Sequence, residues 1–420
     1  MASSGAAPPF GAAARFWLHL GLVSFGGPAG QIAVMHREVV ERRGWLGEQQ
    51  FAGALNFCML LPGPEALQLA IYLGWKLHGI RGGLAAGLGF IGPAVLLLLG
   101  LSYAYARFGG LPVASGILMG LKAAVVAIVL QALVSIGRRA LGRPLHVALA
   151  LAAFVALQWL QLPFPLVVLL AGLVGLISAW RTPRTASSAA RAGDTPAASL
   201  RILIVGLVLW VVPLAIVAAS LGTGSLWTRL YLFFSQAALV TFGGAYAVLG
   251  YVTQHLVHDL GWITAQQSVD GLALAETTPG PLVIVLQFVG FMSGWNNPAP
   301  LEPAAAAVLA ALLASWATFL PSFVLIFLGA PHVERITHEP RAAAALAAIT
   351  AAVVGIIATL AVLLGRVVLF PGGSATISWP ALAIAFVAWL ALTRTRLALP
   401  WILAGAAAAG LSAQALGAAW

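Results

Sequence analysis

Apolar residues fill this chain in long stretches, separated by short polar or Pro/Gly-rich punctuation. In the first half the stretches are 12–35, 51–79, 83–106, 113–137, 145–160 and 164–180. One follows at 201–220, and the second half gives 230–254, 268–295, 304–330, 342–369, 378–393 and 398–418. A helix spans hydrocarbon with roughly 20 residues, so each stretch reads as a membrane helix. Two of them, 51–79 and 268–295, are broken near the middle by Pro62-Gly63-Pro64 and Pro279-Gly280-Pro281. With one crossing per stretch, the pattern predicts an all-α polytopic protein of about 13 spans. The one long polar stretch, 181–200, is rich in Ser, Thr, Pro and Ala and reads as a flexible cytoplasmic linker. It follows a first membrane unit at 10–180 and precedes a connecting helix at 201–225 and a second unit at 226–420.

Composition agrees with this pattern. Of 420 residues, 61% are hydrophobic and 8% charged, with a mean hydropathy of +0.99. Soluble domains run near about a quarter charged, which excludes an ordinary soluble enzyme. So little charge also excludes disorder. Cys58 is the one cysteine, so no internal disulfide or cysteine metal cluster is available. No cofactor fingerprint is present, and no cofactor is expected. Met1 to Pro9 lacks the basic start of a signal peptide and reads as a short cytoplasmic tail.

The two halves repeat each other. Phe25-Gly26-Gly27 returns as Phe242-Gly243-Gly244, Gly44-Trp45 as Gly261-Trp262, Gln49-Gln50 as Gln266-Gln267, and Pro62-Gly63-Pro64 as Pro279-Gly280-Pro281. All four pairs share an offset of 217. Pro93 and Pro321, the run Ala123-Ala124-Val125-Val126 and Ala351-Ala352-Val353-Val354, and Gly137-Arg138 and Gly365-Arg366 share an offset of 228. One indel between Pro64 and Pro93 reconciles them.

Charge then tests the topology. The net charge is +10, from 21 Lys+Arg against 11 Asp+Glu. The basic residues stand singly at helix ends, which speaks for topology and against nucleic-acid binding. With a cytoplasmic N-terminus, 14 fall inside and 6 outside, leaving the intramembrane Lys122 aside. The discordant residues are Arg37, Arg42 and Arg43, in a loop with Glu38, Glu41 and Glu48. Seven crossings separate the two repeat starts, and an odd number inverts the second repeat. The C-terminus is then periplasmic. Were each Pro-Gly-Pro stretch a re-entrant hairpin, parity would change and the repeats would be parallel.

The breaks are the first candidates for chemistry. Pro62, Pro64, Pro279 and Pro281 interrupt helices, and a half-helix that starts inside the membrane offers free N–H groups and a positive dipole end. Gly63 and Gly280 would let an anion approach that backbone; the bland alternative is a kink. Gly26, Gly27, Gly243 and Gly244 allow local unwinding beside Ser24, Thr241 and Gln31, or else close helix packing. Asn56, Gln68, Thr278 and Gln287 could donate to an oxyanion or bond between helices. Lys122 lies deep in an apolar span and suits an anion path. Glu65, Glu276 and Asp270 are candidates for proton coupling; Glu65 also fits a first-turn structural acid, and Asp270 a helix start.

Ser24-Phe25-Gly26-Gly27-Pro28, with Gly44-Trp45 and Leu61-Pro62-Gly63-Pro64, resembles the chromate ion transporter family. Thr241-Phe242-Gly243-Gly244 and Thr278-Pro279-Gly280-Pro281 resemble its second repeat. The resemblance covers nearly the whole chain. It implies a two-repeat bacterial inner-membrane protein, gradient-driven chromate efflux and chromate resistance, with sulfate as a look-alike anion. His19 stands where many relatives place a basic residue. Membrane lipids are the surrounding partner, and a homodimer is a compatible assembly. A membrane-embedded enzyme and a passive anion channel are the other classes. The first lacks a clustered catalytic set.

Overall fold

The computed structural model describes residues 8–179, 196–242, 244–333, 340–371 and 376–417. Most of the 181–200 linker and Gly243 lie outside the described residues. Among the described residues the fold is helical, without strands.

In the first half, α1 (Phe10–Val23), α2 (Gly27–His36) and α3 (Glu48–Leu60) precede the long α4 (Glu65–Phe108). Then come α5 (Pro112–Ala140), α6 (Pro144–Gln158), α7 (Phe164–Ser178) and α8 (Pro196–Leu221). The second half continues with α9 (Leu226–Val240), α10 (Ala245–Thr253), α11 (Ala265–Glu276), α12 (Val285–Asn296) and α13 (Pro303–Gly329). It ends with α14 (Pro340–Leu369), α15 (Trp379–Arg394) and α16 (Leu399–Ala415). Five stretches are long and apolar enough to cross a membrane: α4, α5, 199–221 of α8, α13 with its 3₁₀ extension, and α14. The apolar α6, α7, α15 and α16 are shorter. They run beside α5 and α14 through glycine contacts: a Cβ on Gly120 would lie 2.0 Å from the Ala406 carbonyl, and one on Gly355 2.1 Å from that of Ala150. Much of α8 is exposed apolar surface, as a lipid-facing helix requires.

α4 is one helix only by hydrogen bonding. At His78 and Gly79 the backbone leaves helical angles, with Gly79 at φ +61°. The arm 65–77 folds back on the arm 80–108, and a Cβ on Gly82 would sit 2.1 Å from the Gly74 carbonyl. Small residues on both arms permit this approach.

The broken stretches fold back as hairpins. Gln267 and Asn296, at the far ends of α11 and α12, hydrogen-bond each other, and Asn296 also donates to the Trp262 carbonyl at 3.0 Å. A straight helix would hold those ends about 40 Å apart at 1.5 Å per residue. In the first repeat, Phe57 before the break and Tyr72 after it have ring centroids 5.9 Å apart. The Phe-Gly-Gly breaks behave the same way. The Arg43 guanidinium lies 4.8 Å over the Phe16 ring, and His255 stacks on Phe233 at 5.0 Å. Phe16 and Phe233 are repeat equivalents at offset 217.

Four of the thirteen apolar stretches thus dip to the centre and return. Among the described residues nine helical stretches run on without folding back at the centre: the long arm of α4, α5 to α8, and α13 to α16. Parity is unaffected, because two stretches per repeat fold back, not one. Five traversals separate the hairpins of one repeat from those of the other, so the repeats stay inverted. The equivalent helices show it directly. Gly83 and Gly87 of α4 pack against Phe327 and Phe323 of α13, in antiparallel order.

Candidate functional site

The four breaks meet at the centre, each one bonded to a break of the opposite repeat. Gly63 N–H donates to the Thr241 carbonyl at 2.8 Å, and Gly280 N–H donates to the Ser24 carbonyl at 2.9 Å. These bonds are repeat images of each other. Among the described residues the two Pro-Gly-Pro breaks do not bond one another; each holds the carbonyl that ends a helix of the other half, Thr241 after α9 or Ser24 after α1. Gln31 ties the centre further, donating to the Gly280 carbonyl at 2.5 Å, and Gln68 donates to the Pro62 carbonyl at 2.7 Å.

Glycine is required here for two reasons. Gly63 has φ +126° and Gly280 φ +110°. A Cβ on Gly280 would also meet the Ala94 Cβ at 2.7 Å, and one on Gly63 the Ser322 Oγ at 2.9 Å. Ala94 and Ser322 are themselves equivalent at offset 228. Gly26 (φ +92°) and Gly244 (φ +93°) face open space, so there only the backbone conformation demands glycine.

Each hairpin returns from the centre as a fresh helix, so four helix N-termini point at one place: α2, α4, α10 and the 3₁₀ turn Leu282–Ile284 that leads into α12. None of the four has a side-chain cap. Ser225, Thr264 and Ser378 cap α9, α11 and α15, whereas α1, α5, α6, α7, α13 and α16 also start without a side-chain cap, so what sets the four apart is that they converge. Uncapped termini leave N–H groups and positive dipole ends for a ligand. Anion binding is the chemistry such an arrangement offers.

A cavity of about 1760 Å³ leads to this place. Gly26, Gly27, Glu65, Gly244, Ala245 and Leu282 lie at its inner end, and His36, Arg37, Glu48, Arg139 and Arg143 line it farther out, at the ends of α2, α3, α5 and α6. Arg37 therefore shares a side with Arg139 and Arg143. Beneath it lies a pocket of about 10 Å³ between all four N-termini, bounded by Pro28, Gln31, Pro64, Glu65, Ala245 and Leu282. That volume suits about one water, so an oxyanion would sit at the cavity floor or part these walls. Polar atoms around the breaks are left without partners among the described residues: Ser24 Oγ, Gln31 Oε1, Gln68 Oε1, Thr318 Oγ1 and Ser322 Oγ.

Other candidates lie elsewhere. Lys122 does not line the cavity. Its Nζ is 3.0 Å from Asp270 Oδ1, and Tyr105 donates to Asp270 Oδ2 at 2.8 Å, joining α4, α5 and α11 on the far side of the breaks. Glu276 is buried and accepts from Tyr246 OH at 2.7 Å. Thr241 and Thr278 donate back to carbonyls of their own helices, Ala237 and Leu274. Gln287 donates to the Val95 carbonyl and accepts from Ser315. Asn56 is exposed on α3, off the cavity. Tyr105, Tyr246 and Ser322 were not singled out from sequence; the 228 offset joining Ala94 to Ser322 was the available signal for one of them.

At the mouth, burial raises the Glu38 carboxyl, but Arg42 at 2.7 Å and Arg43 at 3.5 Å outweigh it and hold it below its ordinary value.

The description "Chromate transporter" matches residues 12–176 and 228–411. The chain belongs to the chromate transporter family. It is 30% identical to a chromate transport protein of Cupriavidus metallidurans, over 96% of this chain and 92% of that one. Identity to a chromate transport protein of Pseudomonas aeruginosa is 33%, over 84% of this chain and 80% of the relative. A probable chromate transport protein of Synechococcus elongatus is 30% identical over 84% of each. No solved structure matches the chain. Membership and the apolar helices make it a multi-pass membrane transport protein.

Proposed function

We propose that this chain is a secondary active exporter of chromate, with the oxyanion held at the cavity floor by the N-termini of α2, α4, α10 and the 3₁₀ turn before α12. The observation that carries this reading is the convergence of four uncapped N-termini at the end of one cavity. Backbone N–H groups suit a tetrahedral dianion, and no bulky cation is needed. Gly26, Gly27 and Gly244 bring backbone to the floor, Gly63 and Gly280 hold the breaks together through N–H groups that are already bonded, and Ser24, Gln31 and Gln68 have unpaired polar atoms around them. Lys122 serves closure of the far side, not the binding floor.

The cavity side is cytoplasmic in this reading. Placing the 37–43 stretch there leaves only Arg107, Arg229 and Arg366 at the far side among the described residues, with Lys122 inside. The membrane is then the bacterial inner membrane. Inverted repeats around a central site suit alternating access. A closed far side favours a carrier over an open channel. Cells expressing the protein should accumulate less chromate, and an uncoupler should abolish the difference. Equal accumulation with membrane expression confirmed would refute export. Sulfate is the second reading, because backbone donors recognise both tetrahedral dianions; competition in vesicles separates the two.

A further inference from the structure

One carboxylate stands among the four N-termini. Glu65 is the first residue of α4, and it lines both the cavity and the small pocket beneath it. Among the described residues nothing pairs with or hydrogen-bonds its side chain, unlike Asp270 and Glu276. Its repeat equivalent is Leu282, which lines the same two spaces. The two halves therefore place one acid and one alkyl chain at matching positions around the floor.

From α3 the titratable neighbour is Cys58; from α10 it is Tyr246. The first turns of α2 and of the stretch entering α12 carry no titratable side chain. Farther out, the cavity wall adds His36, Arg37, Glu41, Glu48, Arg139, Arg143 and His146. Among the described residues, therefore, no cation pairs with Glu65. What compensates its negative charge is the positive end of its own helix and of the three others.

The same field would hold a bound oxyanion. A dianion and an ionised Glu65 at one small floor repel each other at close range, in a site with little water to screen them. We propose that Glu65 is a built-in competitor for the anion, so that oxyanion binding at the floor requires Glu65 to take up a proton. The inference rests on the anion-site reading above and adds the coupling to it: one proton enters the site with each anion. Leu282 leaves only one such competitor, which fixes the stoichiometry at one.

Sulfate is the probe, because it stays a dianion across the range tested. Purified protein is titrated with sulfate from pH 5.5 to 7.5 by calorimetry, in buffers of different ionisation enthalpy. The wild-type chain should gain affinity as pH falls, approaching about tenfold per pH unit for one linked proton, with close to one proton absorbed per anion. Glu65→Gln should bind more tightly at pH 7.5 and absorb none. Glu65→Asp keeps the charge and should keep the linkage, which controls for damage to the helix start. Glu65→Gln with the wild-type slope and proton count would overturn the proposal. Folded wild-type protein that binds neither sulfate nor chromate at any pH would instead remove the anion site itself.

Discussion

The two sides of this molecule are built from the same unit and do opposite things. On the cavity side, Ala29, Met59 and Thr350 line an open space. Their repeat equivalents are Tyr246, Glu276 and Lys122, all three bonded across helices, with Tyr246 also touching the inner end of the cavity and Glu276 and Lys122 off it. Gly53 has Asp270 as its equivalent, which completes the Lys122 pair. Inverted repeats suit a backbone that opens to either side in turn, as alternating access requires. In the carrier reading proposed above, the side chains at four matching positions would decide which way it stands, because these acids, a lysine and a tyrosine occur in only one copy. On that reading, buried polar contacts in one half would hold it shut, and small or apolar residues in the other would leave it open.

The largest effect is expected at Lys122. Lys122→Met strands the Asp270 carboxylate in a buried site, a loss of about 3–5 kcal/mol. Thermal melting in detergent should fall sharply. Adding Asp270→Asn should restore most of it, because no buried charge then remains unpaired. A double variant no more stable than the single one would contradict the pairing.

Next come the two central glycines, whose surroundings differ. Gly280→Ala meets the Ala94 Cβ as well as its own positive φ, whereas Gly63→Ala meets the ends of the Gln68 and Ser322 side chains, which can turn away. Each should cost about 1–3 kcal/mol through backbone strain, with Gly280→Ala the worse. Equal melting points for the two would show that crowding adds nothing.

Tyr246→Phe removes a hydrogen bond to a buried carboxyl, a loss of about 1.5–3 kcal/mol. Moving the same chemistry across sharpens the comparison. Ala29→Tyr with Met59→Glu places the pair on the open side and should suppress transport while leaving melting close to wild type. Full transport by that variant would separate these contacts from closure. The smallest effect is at the mouth. Glu38 is held below its ordinary value, so its contribution is present at neutral pH and is lost as pH falls through its lowered value, below the ordinary 4.5. Hydrogen exchange of 37–43 should rise only there, and Glu38→Gln should remove the transition.

Much of this was legible from residues alone. Helices follow from apolar stretches, and the duplicated unit follows from Trp, Gln and Pro at fixed offsets. The breaks follow from Pro and Gly. Whether a broken stretch crosses or returns was not legible, because its hydropathy is the same either way. Tertiary contacts such as Gln267 with Asn296 decide it. The one signal available was the misfit of Arg37, Arg42 and Arg43 with the charge rule, and folding back the Phe-Gly-Gly stretch removes it. Lys122 looked like an anion ligand because its depth was visible, while Asp270, 148 residues later by numbering, was not visibly its partner.

The most direct test is an experimental structure of the protein soaked with chromate, located by chromium anomalous scattering. One chromium is expected at the inner end of the cavity, with chromate oxygens near the backbone N–H groups of Gly27 and Ala245, and Lys122 still paired with Asp270. A chromium bound at Lys122, or bound away from all four N-termini, would contradict it.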